Sequence, residues 1–377
     1  IVYAGDAAAA PKAENTIDAK GKQVYPGLIL PSSNLGLQEI TGVRGSTDIN
    51  EIGEFNPSVR SIAAYKAESI VVNTLRLNGI LLAHTIPGGQ LIAGQSSVVQ
   101  LDAWNYEDAA YKTDMGMHFY MPSLLSRGGG RGFGRGFGGA APAGDPIKEA
   151  LDKIESVKAI FREAKAYHQK GADKQINLKL EATKGLFNRT QKLFVHCDQI
   201  KQMIVAIDFV KEFGFDVVLV GASESWQIAD LLKANNIAVI LTQEHSLPTT
   251  DDDDVDQPYK AASVLQKAGV LFCLNDDDPQ NRGRNLMFNA GTAAAYGLGK
   301  EGALQAITLN AAKILGVADK TGTLEVGKDA NIVISEGDIL DMKSSIVTDA
   351  FIQGRAVAIT SKHKQLYERY KHKYEIK

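Results

Sequence analysis

The chain has 377 residues, of which 44% are hydrophobic and 23% charged, and its formal net charge is −3. This is the composition of a globular protein with enough apolar material for a large core. A dedicated nucleic-acid-binding domain would be clearly basic, so the charge argues against that class. The apolar runs are shorter than the roughly 18 residues that a membrane-spanning helix requires. We therefore predict a globular chain with no membrane span and no nucleic-acid partner.

The two ends of the chain differ in pattern from its middle. Residues 1–24 and 321–377 contain short apolar stretches separated by turn residues, as in GTLEVGKDANIVIS and DAFIQGRAVAI. Each segment is too small to bury a core by itself. We therefore predict that residues 1–24 and 321–377 pair to form one small composite β domain.

The middle of the chain alternates short apolar runs with helical patterns. Strands are predicted at VYPGLIL, ILLAHTI, SSVVQL, GMHFYM, KLFVHC, DVVLVGA, IAVILT and VLFCLN. Amphipathic helices follow the later strands, for example QIKQMIVAIDFVKEF and ESWQIADLLKAN. Nearly continuous apolar strands that alternate with helices indicate a parallel sheet covered by helices. Eight such units favour an α/β fold with a (β/α)8 barrel over residues 25–320, with a doubly wound open sheet as the alternative.

One low-complexity segment interrupts this pattern at residues 126–144, with the sequence SRGGGRGFGRGFGGAAPAG. So much glycine makes ordering entropically costly, so we predict a flexible insertion within the barrel. Its Arg-Gly-Phe repeats are similar to segments that stack on RNA bases. The acidic chain and the internal position of the segment favour the simple insertion.

Three segments resemble the amidohydrolase superfamily, particularly its imidazolonepropionase-like branch. They are YPGLI at 25–29, VLVGASESWQIADLLKANNIAVIL at 218–241 and ALQAITLNAAKILGVADKTGTLEVGKDANIVI at 303–334. The resemblance implies a (β/α)8 barrel with a composite β-sandwich, and hydrolysis of carbon–nitrogen bonds in non-peptide or cyclic amides. It also implies a small-molecule substrate or ligand, assembly as a homo-oligomer or with a second amidohydrolase-like protein, and a bacterial source. A periplasmic or extracytoplasmic location would follow if a leader precedes Ile1.

The resemblance further implies a metal site at the carboxyl ends of the barrel strands. Members of the family hold one or two divalent metals there with a His-x-His pair, two further histidines and an aspartate, and the metal activates a water. In this chain Ser32 and Asn34 stand where the His-x-His pair is expected, and neither is a competent zinc ligand. The histidine expected on the sixth strand is also absent, since that stretch reads Gly-Ala-Ser-Glu at 221–224.

Two of the expected ligands remain. His196, in FVHC, matches the histidine of the fifth strand, and Asp276, in CLNDDDP, matches the aspartate that moves the proton. A one-residue or two-residue shift would put Asp277 or Asp278 in that role instead. His84 and His118, near other strand ends, are weaker candidate ligands that could complete a set with His196 and Asp276. A single divalent metal, zinc, iron or manganese, is the cofactor implied.

Three more residues are candidate substrate contacts. His245 lies on a predicted loop above the barrel, and Arg282 and Arg284 follow the last strand, where they could bind an anionic group. Two interpretations stay open at this stage. The chain is a carbon–nitrogen hydrolase with a reduced metal site, or it is a catalytically inactive member of the family that acts as a ligand-binding or assembly partner.

Overall fold

The computed structural model describes residues 1–40, 42–125, 145–170, 175–242, 244–277 and 283–376. The predicted insertion at 126–144, Asp278 and Arg282 lie outside these residues. Within the described residues the strands are β1 (Gln23–Pro26), β2 (Leu28–Ser33), β3 (Ile80–Thr85), β4 (Ile92–Gln100), β5 (Ala110–Tyr120), β6 (Lys192–Cys197), β7 (Val217–Gly221), β8 (Ala238–Leu241), β9 (Phe272–Leu274), β10 (Ile332–Ser335), β11 (Val347–Ile352) and β12 (Arg355–Val357).

Eight of these strands, β2 to β9, form one sheet in sequential order. The sheet curves into a nearly closed TIM-like barrel, which confirms the predicted fold class. β2 pairs with β3, and β5 to β9 pair with one another, in parallel. β4 is antiparallel to both of its neighbours. The prediction of a uniformly parallel sheet is therefore wrong at β4, because only residues 86–91 connect β3 to β4, and so short a connection forms a hairpin and not a helical crossover.

Helices lie between the strands and after the last barrel strand. Within the described residues they are α1 (Ser61–Ala64), α2 (Ile70–Leu77), α3 (Tyr106–Ala109), α4 (Pro146–Gln169), α5 (Leu178–Glu181), α6 (Lys184–Phe187), α7 (Ile200–Phe213), α8 (Ala229–Ala234), α9 (Gln257–Lys267), α10 (Leu286–Ala293), α11 (Lys300–Ala306), α12 (Leu309–Ile314) and α13 (Lys362–Lys373). None of the described helices is long and apolar enough to cross a membrane.

The helix that follows β6 shows how local sequence sets these boundaries. At the start of α7 the side-chain oxygen of Gln202 accepts hydrogen bonds from the backbone amides of Asp198 and Gln199, at 3.2 and 3.1 Å, which satisfies amides that would otherwise be unpaired there. The helix ends at Gly214, whose φ of 72° is the left-handed conformation that glycine adopts most easily. Because this boundary is sharp, the chain returns at once into β7.

The interior of the barrel is a packed core. Ile29, Leu82, Phe194, Val218 and Ile240 meet inside it, one from each of five strands, and all are almost fully buried. Residues from α12 and the turn after it pack against the same cluster and cover one end. Side chains on a strand alternate between its two faces, so the next inward positions along β3 and β6 are His84 and His196. The apolar layer therefore supports a polar layer nearer the carboxyl ends of the strands.

A second sheet joins the two ends of the chain. It has the order β1-β10-β11-β12, and all its pairings are antiparallel. β1 comes from the N-terminal segment and pairs with β10 from the C-terminal one, with Tyr25 opposite Val333. Gly27, which donates its amide to the carbonyl of Asn331 at 2.8 Å, links β1 directly to β2 of the barrel. The small β domain is therefore built from both ends, and it sits beside the first barrel strand.

Candidate functional site

The barrel mouth, where the carboxyl ends of the parallel strands meet, contains a cavity of about 570 Å³. In TIM-like barrels this face carries the functional site. Its polar lining consists of Ser32, Ser33, Asn34, Gln38, Tyr120, His196, Asp198, Gln202, Thr242, Asp276 and Asp277. The structure thus brings together five residues that the sequence singled out, Ser32, Asn34, His196, Asp276 and the alternative aspartate Asp277.

His196 is held rigidly at the floor of this cavity. Its ring stacks on that of Tyr120, with the centroids 3.9 Å apart and the planes 9° from parallel. The Tyr120 hydroxyl donates a hydrogen bond to the carbonyl of Pro87 at 2.9 Å, which fixes the stacking partner. On the interior side, Nε2 of His196 lies 2.8 Å from Nδ1 of His118. Burial lowers the pKa of His196 to about 3, so the ring is neutral at physiological pH.

Ser32 and Asn34 line the opposite wall, at the end of β2. Ser32 is buried, and its backbone amide donates to Oδ1 of Asn275, the residue that follows β9, at 3.2 Å. The amide of Leu35 donates to the Ser33 hydroxyl at 3.1 Å. This wall therefore offers short hydroxyl and amide side chains to a ligand.

Asp276 lies at the mouth and is almost completely buried. Its Oδ2 accepts a hydrogen bond from the backbone amide of Asn285 at 2.7 Å, immediately before α10 begins. A carboxylate at the start of a helix is stabilised by the unpaired amides there. Asp276 therefore anchors α10 to the barrel as well as lining the cavity.

His84 lies deeper in the barrel and is fully buried. Nδ1 is 2.8 Å from the carbonyl oxygen of Pro31, and Nε2 is 2.7 Å from the Ser96 hydroxyl. A carbonyl only accepts, so the proton is on Nδ1, and Ser96 donates to Nε2. Burial lowers the pKa of His84 to about 4. Both ring nitrogens of His84 are thus hydrogen-bonded to protein groups.

Of the predicted substrate contacts, the two that the structure describes, His245 and Arg284, do not line the cavity. His245 is exposed on the loop after β8, where Nε2 bonds the Thr292 hydroxyl at 2.6 Å, and it is not among the cavity-lining residues. Arg284 is likewise absent from the cavity lining, and Arg282 lies outside the described residues. Their roles as substrate contacts stay predictions.

Five polar cavity residues were missed by the sequence reasoning, namely Gln38, Tyr120, Asp198, Gln202 and Thr242. Asp198 comes two residues after His196, at the end of the same strand. That spacing could have predicted that its side chain lies at the barrel mouth. Desolvation in the cavity raises the pKa of the Asp198 carboxyl, and the Ser223 hydroxyl, 3.4 Å from Oδ1, opposes that rise. The sequence gave no sign that Gln202 lines the cavity, because it lies in α7 and not at a strand end. Its side-chain amide donates to the carbonyl of Met121 at 3.1 Å.

The donor set at the mouth does not fit a divalent metal. Across the part of the chain that the structure describes, no group of three or more His, Cys, Asp or Glu side chains is placed to hold a metal ion. A zinc site needs at least three protein ligands. The proposed set of His84, His118, His196 and Asp276 does not converge, since both nitrogens of His84 and Nε2 of His196 already face other protein groups.

Comparison with known proteins places the chain in a family. The sequence model of the amidohydrolase family matches residues 151–357. An imidazolonepropionase from Picrophilus torridus is 30% identical over 206 residues, which are 52% of this chain and 48% of that protein. One from Symbiobacterium thermophilum is 26% identical over 356 residues, covering 84% and 76%. A third, from Thermoplasma volcanium, is 43% identical over 86 residues, only 21% of its length. The chain thus spans half or less of two of these relatives.

Solved structures give the same architecture. An amidohydrolase from Thermotoga maritima superposes with a TM-score of 0.76 at 24% identity, covering 95% of this chain and 92% of that one. A molinate hydrolase superposes with a TM-score of 0.53 at 15% identity, covering 95% and 88%. Because the amidohydrolase family model matches more than half of the chain, the chain belongs to that family, and the imidazolonepropionase relatives place it in the imidazolonepropionase-like branch. Metal-dependent hydrolysis is general in that family, whereas the described residues of this chain contain no group of three or more side chains placed to hold a metal ion.

Proposed function

We propose that this chain binds a compact small molecule at the barrel mouth and does not carry out metal-dependent hydrolysis with its own residues. The observation that carries the proposal is the pairing of Nε2 of His196 with His118, in a cavity whose opposite wall has Ser32 and Asn34. The cavity volume of about 570 Å³ falls in the range typical of small-molecule sites.

A second function is favoured by two residues at the mouth. His196 and Asp276 stand where the family resemblance places a metal ligand and the proton-transferring aspartate, and both line the cavity. The curated relatives are imidazolonepropionases. The alternative function is therefore hydrolysis of a carbon–nitrogen bond in a non-peptide or cyclic amide, with one metal held in a site that closes on binding.

Metal content and thermal unfolding of the purified chain separate the two functions. We expect less than stoichiometric zinc, iron or manganese by elemental analysis, and an unchanged Tm in chelator. Stoichiometric metal that is lost in His196→Gln and retained in His245→Gln would establish the hydrolase instead. His245 is a matched control because it is exposed and outside the cavity.

A fragment screen by thermal shift tests the binding itself. A ligand at about 100 times its Kd should add about 2.7 kcal/mol to the free energy of unfolding. The same ligand should add much less in Asn34→Leu, which fills the cavity wall with an apolar side chain. If no fragment of a chemically diverse set stabilises the chain, ligand binding at the mouth is wrong.

A further inference from the structure

His118, on β5, is a fully buried histidine whose position determines what His196 can offer to a ligand. Its ring stacks on Phe194, with centroids 5.0 Å apart and planes 9° from parallel. Nδ1 of His118 is 2.8 Å from Nε2 of His196, while Nε2 of His118 has no hydrogen-bond partner within the described residues. Burial lowers the pKa of both rings well below the usual histidine value, so both are neutral at physiological pH. Two ring nitrogens 2.8 Å apart have room for one hydrogen between them, so one of the two nitrogens is the donor and the other is the acceptor.

That proton can belong to either ring, and the two arrangements differ at Nε2 of His118. If His196 donated, His118 would carry its own proton on Nε2, as a buried N–H with no acceptor. If His118 donates from Nδ1, its Nε2 is a bare acceptor. Orphaned buried N–H groups are rarer in proteins than under-used acceptors, so the second arrangement is preferred. The stacked Phe194 ring does not change this, because a ring N–H lies in its own plane and cannot point at a parallel face.

We infer that His118 donates its Nδ1–H to Nε2 of His196 and so holds His196 in the tautomer that presents Nδ1–H to the cavity. The charge of the cavity agrees with this assignment, since Asp198 and Asp276 line the same space and their carboxylates favour a donor there. His118 is a positioning residue, because it acts only through His196. The Tyr120 ring, stacked on His196, keeps the imidazole plane fixed.

The consequence is a chemical class of ligand. In this tautomer His196 has no lone pair to give to the cavity: Nε2 accepts from His118, and Nδ1 carries hydrogen. The site therefore binds an acceptor, such as a neutral carbonyl oxygen, against Nδ1–H. The class of ligand rests on the proposed ligand-binding function. The assignment of the His196 tautomer does not depend on that function.

The tautomer is read directly by long-range ¹H–¹⁵N NMR of chain labelled with ¹⁵N-histidine, at pH 7.5. His196→Gln assigns the His196 signals. In the wild-type chain we expect His196 and His118 both as Nδ1–H. In His118→Phe, Nε2 of His196 should lose its donor, move toward the shift of an unbonded nitrogen, and allow the Nε2–H form to gain population. His118→Asn, whose amide can donate from nearly the same position, should retain the wild-type pattern.

A ligand measurement uses two neutral five-membered rings of similar size, 2-pyrrolidinone, which has a carbonyl acceptor, and cyclopentane, which has none. We expect only pyrrolidinone to shift the His196 Nδ1–H signal, with an affinity about two- to tenfold weaker in His118→Phe than in wild type. A wild-type His196 with its proton on Nε2 overturns the inference, and so does an unchanged Nε2 signal in a folded His118→Phe. If the tautomer is as stated but no fragment binds, the ligand-binding function fails while the role of His118 stands. The wild-type spectrum alone decides the tautomer if His118→Phe does not fold.

Discussion

Asn275 and Ser32 join the two edges of the barrel sheet. Oδ1 of Asn275 accepts from the backbone amide of Ser32 at 3.2 Å, across the seam between β9 and β2. These are the first and last strands of the sheet order, and within the described residues no ladder pairs them. Beside this bond, the amide of Ile29 donates to the carbonyl of Ile307, between α11 and α12, at 3.0 Å. A side chain and a helix connection thus replace the hydrogen-bond ladder that would close the barrel.

Asn275→Ala should destabilise the chain by about 1–3 kcal/mol, because it leaves the buried amide of Ser32 without its acceptor. Urea unfolding followed by circular dichroism measures this. Asn235→Ala is the matched control, since that partly exposed side chain bonds the carbonyl of Leu231 in α8, and it should change stability by less than about 0.5 kcal/mol. Equal effects of the two substitutions would show that the seam bond contributes nothing specific.

Gly221→Ala should destabilise the chain and deform the cavity. Gly221 lines the cavity with a φ of 95°, and a Cβ there would lie 2.6 Å from Oδ1 of Asp198. Gly327 has a φ of 93° with open space around it, so Gly327→Ala tests the backbone conformation alone. We expect Gly327→Ala to cost about 1 kcal/mol and Gly221→Ala at least about 1 kcal/mol more. Thermal unfolding of both variants measures this difference in stability. A Gly221→Ala chain as stable as Gly327→Ala would rule out the steric conflict.

Stability should fall with acid because His84 is neutral in the folded chain. Its pKa is lowered to about 4 by burial, against about 6.5 in an unfolded chain. Between these values the unfolded chain binds a proton that the folded chain excludes. The free energy of unfolding should therefore decrease by about 1.4 kcal/mol per pH unit from this residue as pH falls from 6.5 to 4.

Urea unfolding at several pH values from 4.5 to 7.5 measures how the free energy of unfolding changes with pH. The slope of the wild-type chain is compared with the slope of His84→Gln. His363→Gln, at an exposed position in α13, is the control and should keep the wild-type slope. The Cε1–H signal of His84 should also stay constant down to pH 5 in NMR spectra. Titration of that signal near pH 6.5 would contradict the prediction.

Glu244 should have the opposite effect on stability. Its side chain is almost fully buried, Oε2 lacks a hydrogen-bond partner within the described residues, and burial raises its pKa well above the usual value. Above about pH 4.5 the unfolded chain ionises while the folded chain keeps the proton, so stability is lost as pH rises. Glu244→Gln should therefore equal wild type near pH 4 and become progressively more stable toward pH 8. Glu68→Gln, an exposed control, should show no such divergence in urea unfolding.

The strands could be predicted from the sequence because each is an apolar run bounded by turn residues. The direction of β4 was not predicted, because direction depends on the length of the connection, which the strand's own residues do not encode. The place of His196 and Asp276 at the mouth also followed from their positions at strand ends. The family resemblance showed that Ser32 and Asn34 stand where a His-x-His pair is expected. The strand pattern alone gives no reason to single out these two residues.

The sequence suggested that His118 and His196 could belong to one ligand set, but it did not predict the direct hydrogen bond between their rings. That bond depends on the parallel register of β5 and β6, in which His118 is opposite Phe194 and Tyr120 is opposite His196. Three irregularities in the pairing of β4 with β5 shift which of their residues face the interior. A period-two pattern cannot locate such shifts, because one extra residue reverses every side chain after it.

The pairing of β1 with β10 also governs when the protein can fold during its synthesis. Pro26 is opposite Ile332, so β1 leaves the ribosome long before its partner exists. At typical translation rates the interval is roughly 15 to 60 s, during which β1 has no strand to pair with. The small sheet cannot form until β10 has been synthesised, so β1 stays without its partner throughout that interval. Chains interrupted before β10 would therefore expose open strand edges and be substrates for chaperones or aggregation.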